Sequence, residues 1–185
     1  LSGHTVSIGA EESGTERNAT QILEFAGMPS SLVATKNLDY IEATKELKAG
    51  DIDAFFCTAG LTTTVIDELS KECDIRLIPL TDTVISKMLE SSSAYTSEVI
   101  PAGTYTGQDT AISTIGVKSV LITKSDVSDD TIEQLTSLLF EKENELSYSN
   151  SLKLELTYDF ATDGIPIPFH NGAKRYYEDC GYSIN

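Results

Sequence analysis

Cations are scarce in this sequence. Lys and Arg number 13 against 29 Asp and Glu, a formal net charge of −16, and the basic residues are scattered without forming a stripe. Affinity for nucleic acid comes mostly from neutralised phosphates, so a polyanion is repelled, and nucleic acid and bare anionic membrane are excluded as partners. A small anion is not excluded, but it needs short-range donors already aimed at it, because the long-range field opposes its approach.

Cysteine and histidine are also sparse. Cys57, Cys73 and Cys180 show no Cys-x-x-Cys pair and no metal-ligand spacing, and an odd count cannot pair completely within one chain. Cys57 lies in the apolar run Ile52–Cys57 and reads as a small buried hydrophobe. His4 and His170 stand far apart with no acid or thiol beside either, which predicts a surface or helix-end histidine at each place. Asp51 and Asp53 flank Ile52 at strand spacing, with no third ligand for a metal. No catalytic constellation emerges, so the expectation is a protein that is no enzyme and needs no cofactor or metal. Runs of about 18 apolar residues that could span a bilayer are absent, as is the basic and apolar leader of an exported protein.

What is present is ordinary globular composition: 185 residues, 40% hydrophobic, with 12 Gly and 5 Pro. That length suits one domain or two small lobes. The first half alternates short apolar runs with amphipathic stretches, as in strand-helix units over a mostly parallel sheet. Strands are expected at Thr5–Gly9, near Leu32–Ala34, at Ile52–Cys57 and at Ile75–Ile78. Helices are expected over 14–26, 40–48, 63–71 and 83–89, with Gly27 and Gly50 placed as stops. From Ser91 through Gly107 the Ser, Pro and Gly content predicts a long connection, with a lobe boundary between 105 and 112. A strand at 115–122, a helix over 129–144 capped by Ser128, and a short helix over 172–180 follow. The resulting division is 1–108 as an α/β lobe and 109–185 as a second segment.

The turn Gly9-Ala10-Glu11-Glu12-Ser13-Gly14-Thr15-Glu16 joins a strand to a helix. Such a turn points free amides, the positive end of the helix dipole and the Ser13 and Thr15 hydroxyls at one spot, which suits a carboxylate or phosphate. Gly9 and Gly14 have the spacing of a phosphate-binding loop, but Thr15 and Glu16 stand where Lys and Ser or Thr are required, so a nucleoside triphosphate is excluded. Ser13 and Glu16 also have the spacing of a capping box, a structural role compatible with the first. A second loop, Thr58-Ala59-Gly60-Leu61-Thr62-Thr63, again follows a strand and opens a helix. Loops at the carboxyl ends of parallel strands line one crevice, although an ordinary Thr-capped connection explains this segment equally well.

Five stretches together resemble the TAXI-type solute receptors of TRAP (tripartite ATP-independent periplasmic) transporters. They are Val6–Gly9 through Ser13–Glu16; Gly50–Phe56; Asp74–Leu80; Ile100–Tyr105 with Gly107-Gln108-Asp109; and Gly164–Pro168 with His170, Gly172, Ala173 and Tyr176-Tyr177. They run in family order over almost the whole chain.

The resemblance implies a clamshell of periplasmic-binding-protein type: a lobe with a mostly parallel sheet flanked by helices, plus the returning part of a second lobe. It implies capture of a small organic acid or amino acid such as glutamate between lobes, and delivery to the transporter's membrane subunits. The setting implied is periplasmic or extracellular, with a lipid anchor as one form. Ser13, Gly14 and Thr15 would hold a ligand carboxylate, Gly60 and Thr62 would border it, and Tyr105 would stand on the hinge side. Thr62 departs from the family, which often has Pro there. The chain also resembles only the middle and C-terminal part of such a receptor. The strand at 115–122 is therefore expected to lack its partners, and the tail to pack on the first lobe or to mediate self-association. The alternative from a different class is a surface interaction or antigen module that keeps the fold without binding a ligand.

Overall fold

The computed structural model describes residues 1–141 and 156–184. The chain divides into two compact units, Leu1–Gly116 and Val117–Asn185. The first is mixed α/β. Its elements are β1 (Thr5–Ser7), α1 (Gly14–Phe25), β2 (Ala34–Lys36), α2 (Tyr40–Ala49), β3 (Ala54–Phe55), α3 (Thr64–Glu72), α4 (Asp82–Ser91), β4 (Tyr95–Ile100) and β5 (Ile112–Val117).

Three strands form a parallel sheet in the order β2-β1-β3, with Val6 opposite Thr35 on one side and Ala54 on the other. Parallel strands require helical crossovers, and α1 and α2 supply them. The central strand is the most deeply buried, with Val6 at 0% and Ser7 at 1% exposure. All three strands therefore deliver their following loops to one edge of the sheet.

Helix α1 follows from its pattern. Thr15, Ala19, Ile22 and Leu23 are its buried residues, one face at helical spacing. Ala19 and Leu23 pack with Ile8 under β1, while Ile22 packs with Val84 and Met88 of α4. Gly27, at φ +69°, ends it: its amide reaches the Glu24 carbonyl and that of Met28 reaches the Leu23 carbonyl, the paired bonds of a Schellman stop. Helix α2 starts with a complete capping box between Asp39 and Glu42 and ends at Gly50 in the left-handed conformation.

Several expectations are corrected. Ile75–Ile78 forms no strand: half-buried Ile75 and Leu77 alternate with exposed Arg76 and Ile78 as in a strand, but no ladder satisfies the backbone. The stretch expected to be a long connection contains β4, whose Thr, Val and Ile favour extended chain. The following strand lies at 112–117, with 118–122 outside any strand, and it is not left alone, because β5 pairs with β4. Gly116 permits this closeness: a Cβ there would stand 2.7 Å from Glu98 Cγ and 2.9 Å from Thr96 Oγ1. The unpaired-edge argument for self-association therefore fails for Ile115–Val117.

The second unit contains α5 (Asp129–Glu141), α6 (Tyr158–Thr162) and α7 (Asn171–Asp179). The expected helix over 129–144 runs as described to Glu141, and its last three positions lie outside the described residues. Ser128 accepts the Thr131 amide at 3.2 Å, as an N-cap does. Helix α7 packs on α5 through Gly172, where a Cβ would lie 2.1 Å from the Asp129 carbonyl oxygen. Phe140 stacks on Tyr158 at 4.5 Å between ring centres and meets Tyr177 edge-on at 5.9 Å. The short helix α6, which sequence reasoning missed, has its last turn held by Lys118, whose ammonium donates to the Phe160 and Asp163 carbonyls.

Candidate functional site at the carboxyl edge of the parallel sheet

Three loops leave the carboxyl ends of β1, β2 and β3, and side chains tie them together. In the first, Gly9 takes φ +100° and lies directly beneath Ser13 and Thr15. Ser13 caps α1, its Oγ accepting the Glu16 amide at 3.1 Å. The expected capping box is only half formed. The Ser13 amide already donates to the Ala10 carbonyl, and Glu16 instead accepts the Glu12 amide at 2.7 Å. Its other oxygen accepts from Asn37 Nδ2 at 2.7 Å, and the same nitrogen donates to the Gly9 carbonyl at 3.0 Å. Asn37 thus joins the loop after β2 to the loop after β1.

Tyr40, the first residue of α2, makes the second link. Its hydroxyl donates to the Thr58 carbonyl at 2.9 Å and accepts the Thr58 amide at 3.0 Å. Thr15 Oγ1 lies 2.8 Å from the same hydroxyl. With the phenol proton spent on the Thr58 carbonyl, Thr15 is the donor in that contact. Asn18, one turn further along α1, reaches Thr58 Oγ1 at 3.3 Å. Burial pushes the nearby Cys57 thiol up from its ordinary pKa, opposed by the polar Tyr40 hydroxyl beside it, so this cysteine stays a protonated thiol.

The amides of Gly14 and Thr15 are left over. Both open a helix and have no intrahelical acceptor, and no acceptor among the described residues reaches them. Gly14 is exposed, with open space where its Cβ would be.

Of the second loop, Gly60 and Thr62 are exposed. Thr62 holds φ +58°, a strained conformation for a β-branched residue. A proline, fixed near −65°, cannot take that conformation. Tyr105 is buried against this loop. Burial pushes its phenol up, opposed by the Thr63 and Thr62 amides acting on its oxygen. The start of α3 is therefore faced by the protein's own phenol. Gln108 fixes that arrangement, accepting the Tyr105 amide at 3.3 Å while donating to the Pro101 and Thr110 carbonyls at 2.9 Å.

The structure thus groups Ser13, Gly14 and Thr15 over Gly9, sets Tyr105 against Thr62, and connects the two loops through Tyr40 and Asn18. Sequence reading missed Asn37, Tyr40 and Gln108, because their roles depend on partners distant in sequence. Only the place of Tyr40 at a helix start, after a strand, hinted at the sheet edge.

The family model described as the NMT1-like family matches residues 1–181. The chain belongs to the NMT1-like family. This is a periplasmic-binding type of family related to TRAP and NMT1 solute receptors, and membership points to an extracytoplasmic solute-binding role with a small-molecule ligand and transporter partners. Among the described residues of this NMT1-like chain no helix is long and apolar enough to cross a membrane, and no three His, Cys, Asp or Glu gather as a metal site.

Both histidines occupy structural places. His170 caps α7, its Nδ1 accepting the Gly172 amide at 3.1 Å. His4, expected to lack a pairing acid, stands 3.2 Å from Asp53 across the sheet's other edge. The distance arises because β1 and β3 are neighbours although nearly fifty residues of sequence separate the pair.

Proposed function

We propose that this chain is the solute-binding receptor component of a TRAP-type transporter, of the TAXI kind, and that it captures a small carboxylate or amino acid such as glutamate with no chemical step. Its setting is periplasmic or extracellular, in free or lipid-anchored form, and its partners are the transporter's membrane subunits. The observation that carries this reading is the pair of unsatisfied amides at Gly14 and Thr15, at the positive end of a twelve-residue helix. Each amide given to a carboxylate makes a charge-assisted hydrogen bond worth about 1.5–3 kcal/mol. Ser13 shapes the turn, and Gly60, Thr62 and Tyr105 form the neighbouring wall.

Gly14→Pro tests the site cleanly. Proline is tolerated at the first helical position, and Ser13 already has the extended backbone (φ −78°, ψ 158°) that must precede it. The variant deletes one amide proton with the helix kept. Calorimetry with glutamate and succinate is expected to show binding that weakens by about tenfold or more in Gly14→Pro. Unchanged affinity would remove the site.

A second reading, a surface interaction module that keeps the fold without a ligand, is favoured by the Tyr105 phenol at the start of α3 and by the Glu16 carboxylate in the first turn of α1. It requires that no small acid raises the melting temperature.

A further inference from the structure

We propose that Tyr40 is the positioning residue of this site, a latch whose hydroxyl holds the start of α1 and the Thr58–Thr63 loop as one unit; this rests on the acid-binding reading above. The hydroxyl gives its proton to the Thr58 carbonyl, and its lone pairs take the Thr58 amide and the Thr15 hydroxyl proton. One oxygen therefore bonds both polar groups of a loop residue and a helix residue forty-three positions earlier in the chain. Tyr40 is itself anchored, because α2 begins there on a complete capping box.

The arrangement also assigns Thr15 a different duty from direct ligand contact through its hydroxyl. That proton points to Tyr40, so Thr15 offers a ligand only its amide, and its side chain orients that amide. Removing either hydroxyl breaks the bond between Thr15 and Tyr40. Tyr40→Phe also gives up both bonds to Thr58, so it should lose at least as much as Thr15→Val, and the double variant no more than Tyr40→Phe.

The experiment measures glutamate affinity by calorimetry in the parent protein, in Tyr40→Phe, in Thr15→Val and in the double variant. Alongside it, hydrogen exchange at the Thr58 amide is followed without ligand. The expected result is a loss of about fivefold in Thr15→Val, a loss at least as large in Tyr40→Phe, no further loss in the double variant than in Tyr40→Phe, and faster Thr58 exchange in ligand-free Tyr40→Phe. Losses that multiply would show Thr15 touching the ligand through its hydroxyl and would overturn the proposal. Unaltered Thr58 exchange would overturn the latch itself, whatever the affinities. A parent protein that binds no acid would overturn the proposed function and with it the positioning role, while the ligand-free exchange would still show whether the two loops are joined.

Discussion

Gly9 lies so close under Thr15 that a Cβ on the glycine would stand 2.7 Å from the Cβ of the threonine. Two demands coincide at this position: φ is +100°, where only glycine is at ease, and the space a side chain needs is filled by the first turn of α1. Gly9→Ala is expected to cost about 2–4 kcal/mol, combining backbone strain with overpacking. Gly14→Ala, with open space around the position, should stay within about 0.5 kcal/mol of the parent. Urea unfolding midpoints of the two variants test the contrast, and equal midpoints would contradict the close packing.

The pairing of β1 with β3 carries a pH signature. The Thr5 amide donates to Asp53 at 2.8 Å, and this bond first, then the one from His4, holds the Asp53 carboxyl below its ordinary value of 3.8. A lowered folded-state pKa means that the contribution to stability is whole above about pH 3.8 and is lost as pH falls through the lower, folded value. In Asp53→Asn that contribution is absent throughout. Unfolding midpoints of parent and variant should therefore differ at pH 6 and converge as pH falls below about 4. A gap that widens with acid would mean the sign is wrong.

Much of the first unit was legible because its signals are local. The Ala19, Ile22 and Leu23 stripe and the Gly27 and Gly50 stops act within a few residues, and the corresponding helices lie where these signals put them. Failures came where pairing decides. Ile75–Ile78 has the alternation of a strand but no partner, and Tyr95–Ile100 sits in turn-rich surroundings yet has one. The candidate site divides in the same way. The turn from Gly9 to Glu16 was readable as a helix entrance, whereas the diversion of Glu16 to Glu12 and Asn37 depends on the Ser13 amide being taken already by Ala10.

Thr62 carries strain that a single substitution can release. A β-branched residue at φ +58° costs about 1–2 kcal/mol, partly offset in Thr62→Gly by the larger chain entropy glycine gains on unfolding. The variant should gain about 0.5–1 kcal/mol in chemical denaturation. Thr62→Pro should lose stability, since the loop must rebuild around a negative φ. A stabilising proline would contradict the left-handed backbone at this position.

In the second unit, Gly172 is the test of how α7 meets α5. The atoms that a Cβ would strike are the Asp129 carbonyl and the Glu133 amide nitrogen, at 2.1 and 2.9 Å, and backbone cannot swing aside as a flexible side chain would. Gly172→Ala must push the two helices apart, at a cost of about 1–3 kcal/mol. It should also disturb the Phe140, Tyr176 and Tyr177 ring contacts, visible as a change in near-ultraviolet circular dichroism. An unchanged tyrosine signal together with unchanged stability would rule out the close approach of these helices.

Glu16 poses the sharpest question for an acid-binding receptor, because its carboxylate sits in the first turn of the helix that is proposed to attract one. Its oxygens are already engaged by the Glu12 amide and by Asn37. It therefore stabilises the turn while its charge opposes an anionic guest at Gly14 and Thr15. Glu16→Gln keeps one acceptor for the Glu12 amide and removes the charge. On the proposed function this variant should bind glutamate several-fold more tightly at low salt, with the advantage shrinking as ionic strength rises and screens the pair. Stability should fall by about 1 kcal/mol or less, the size of one exposed helix-terminal charge interaction. Calorimetry at two salt concentrations reads both effects, and weaker binding in Glu16→Gln would place the guest's carboxylate away from the start of α1.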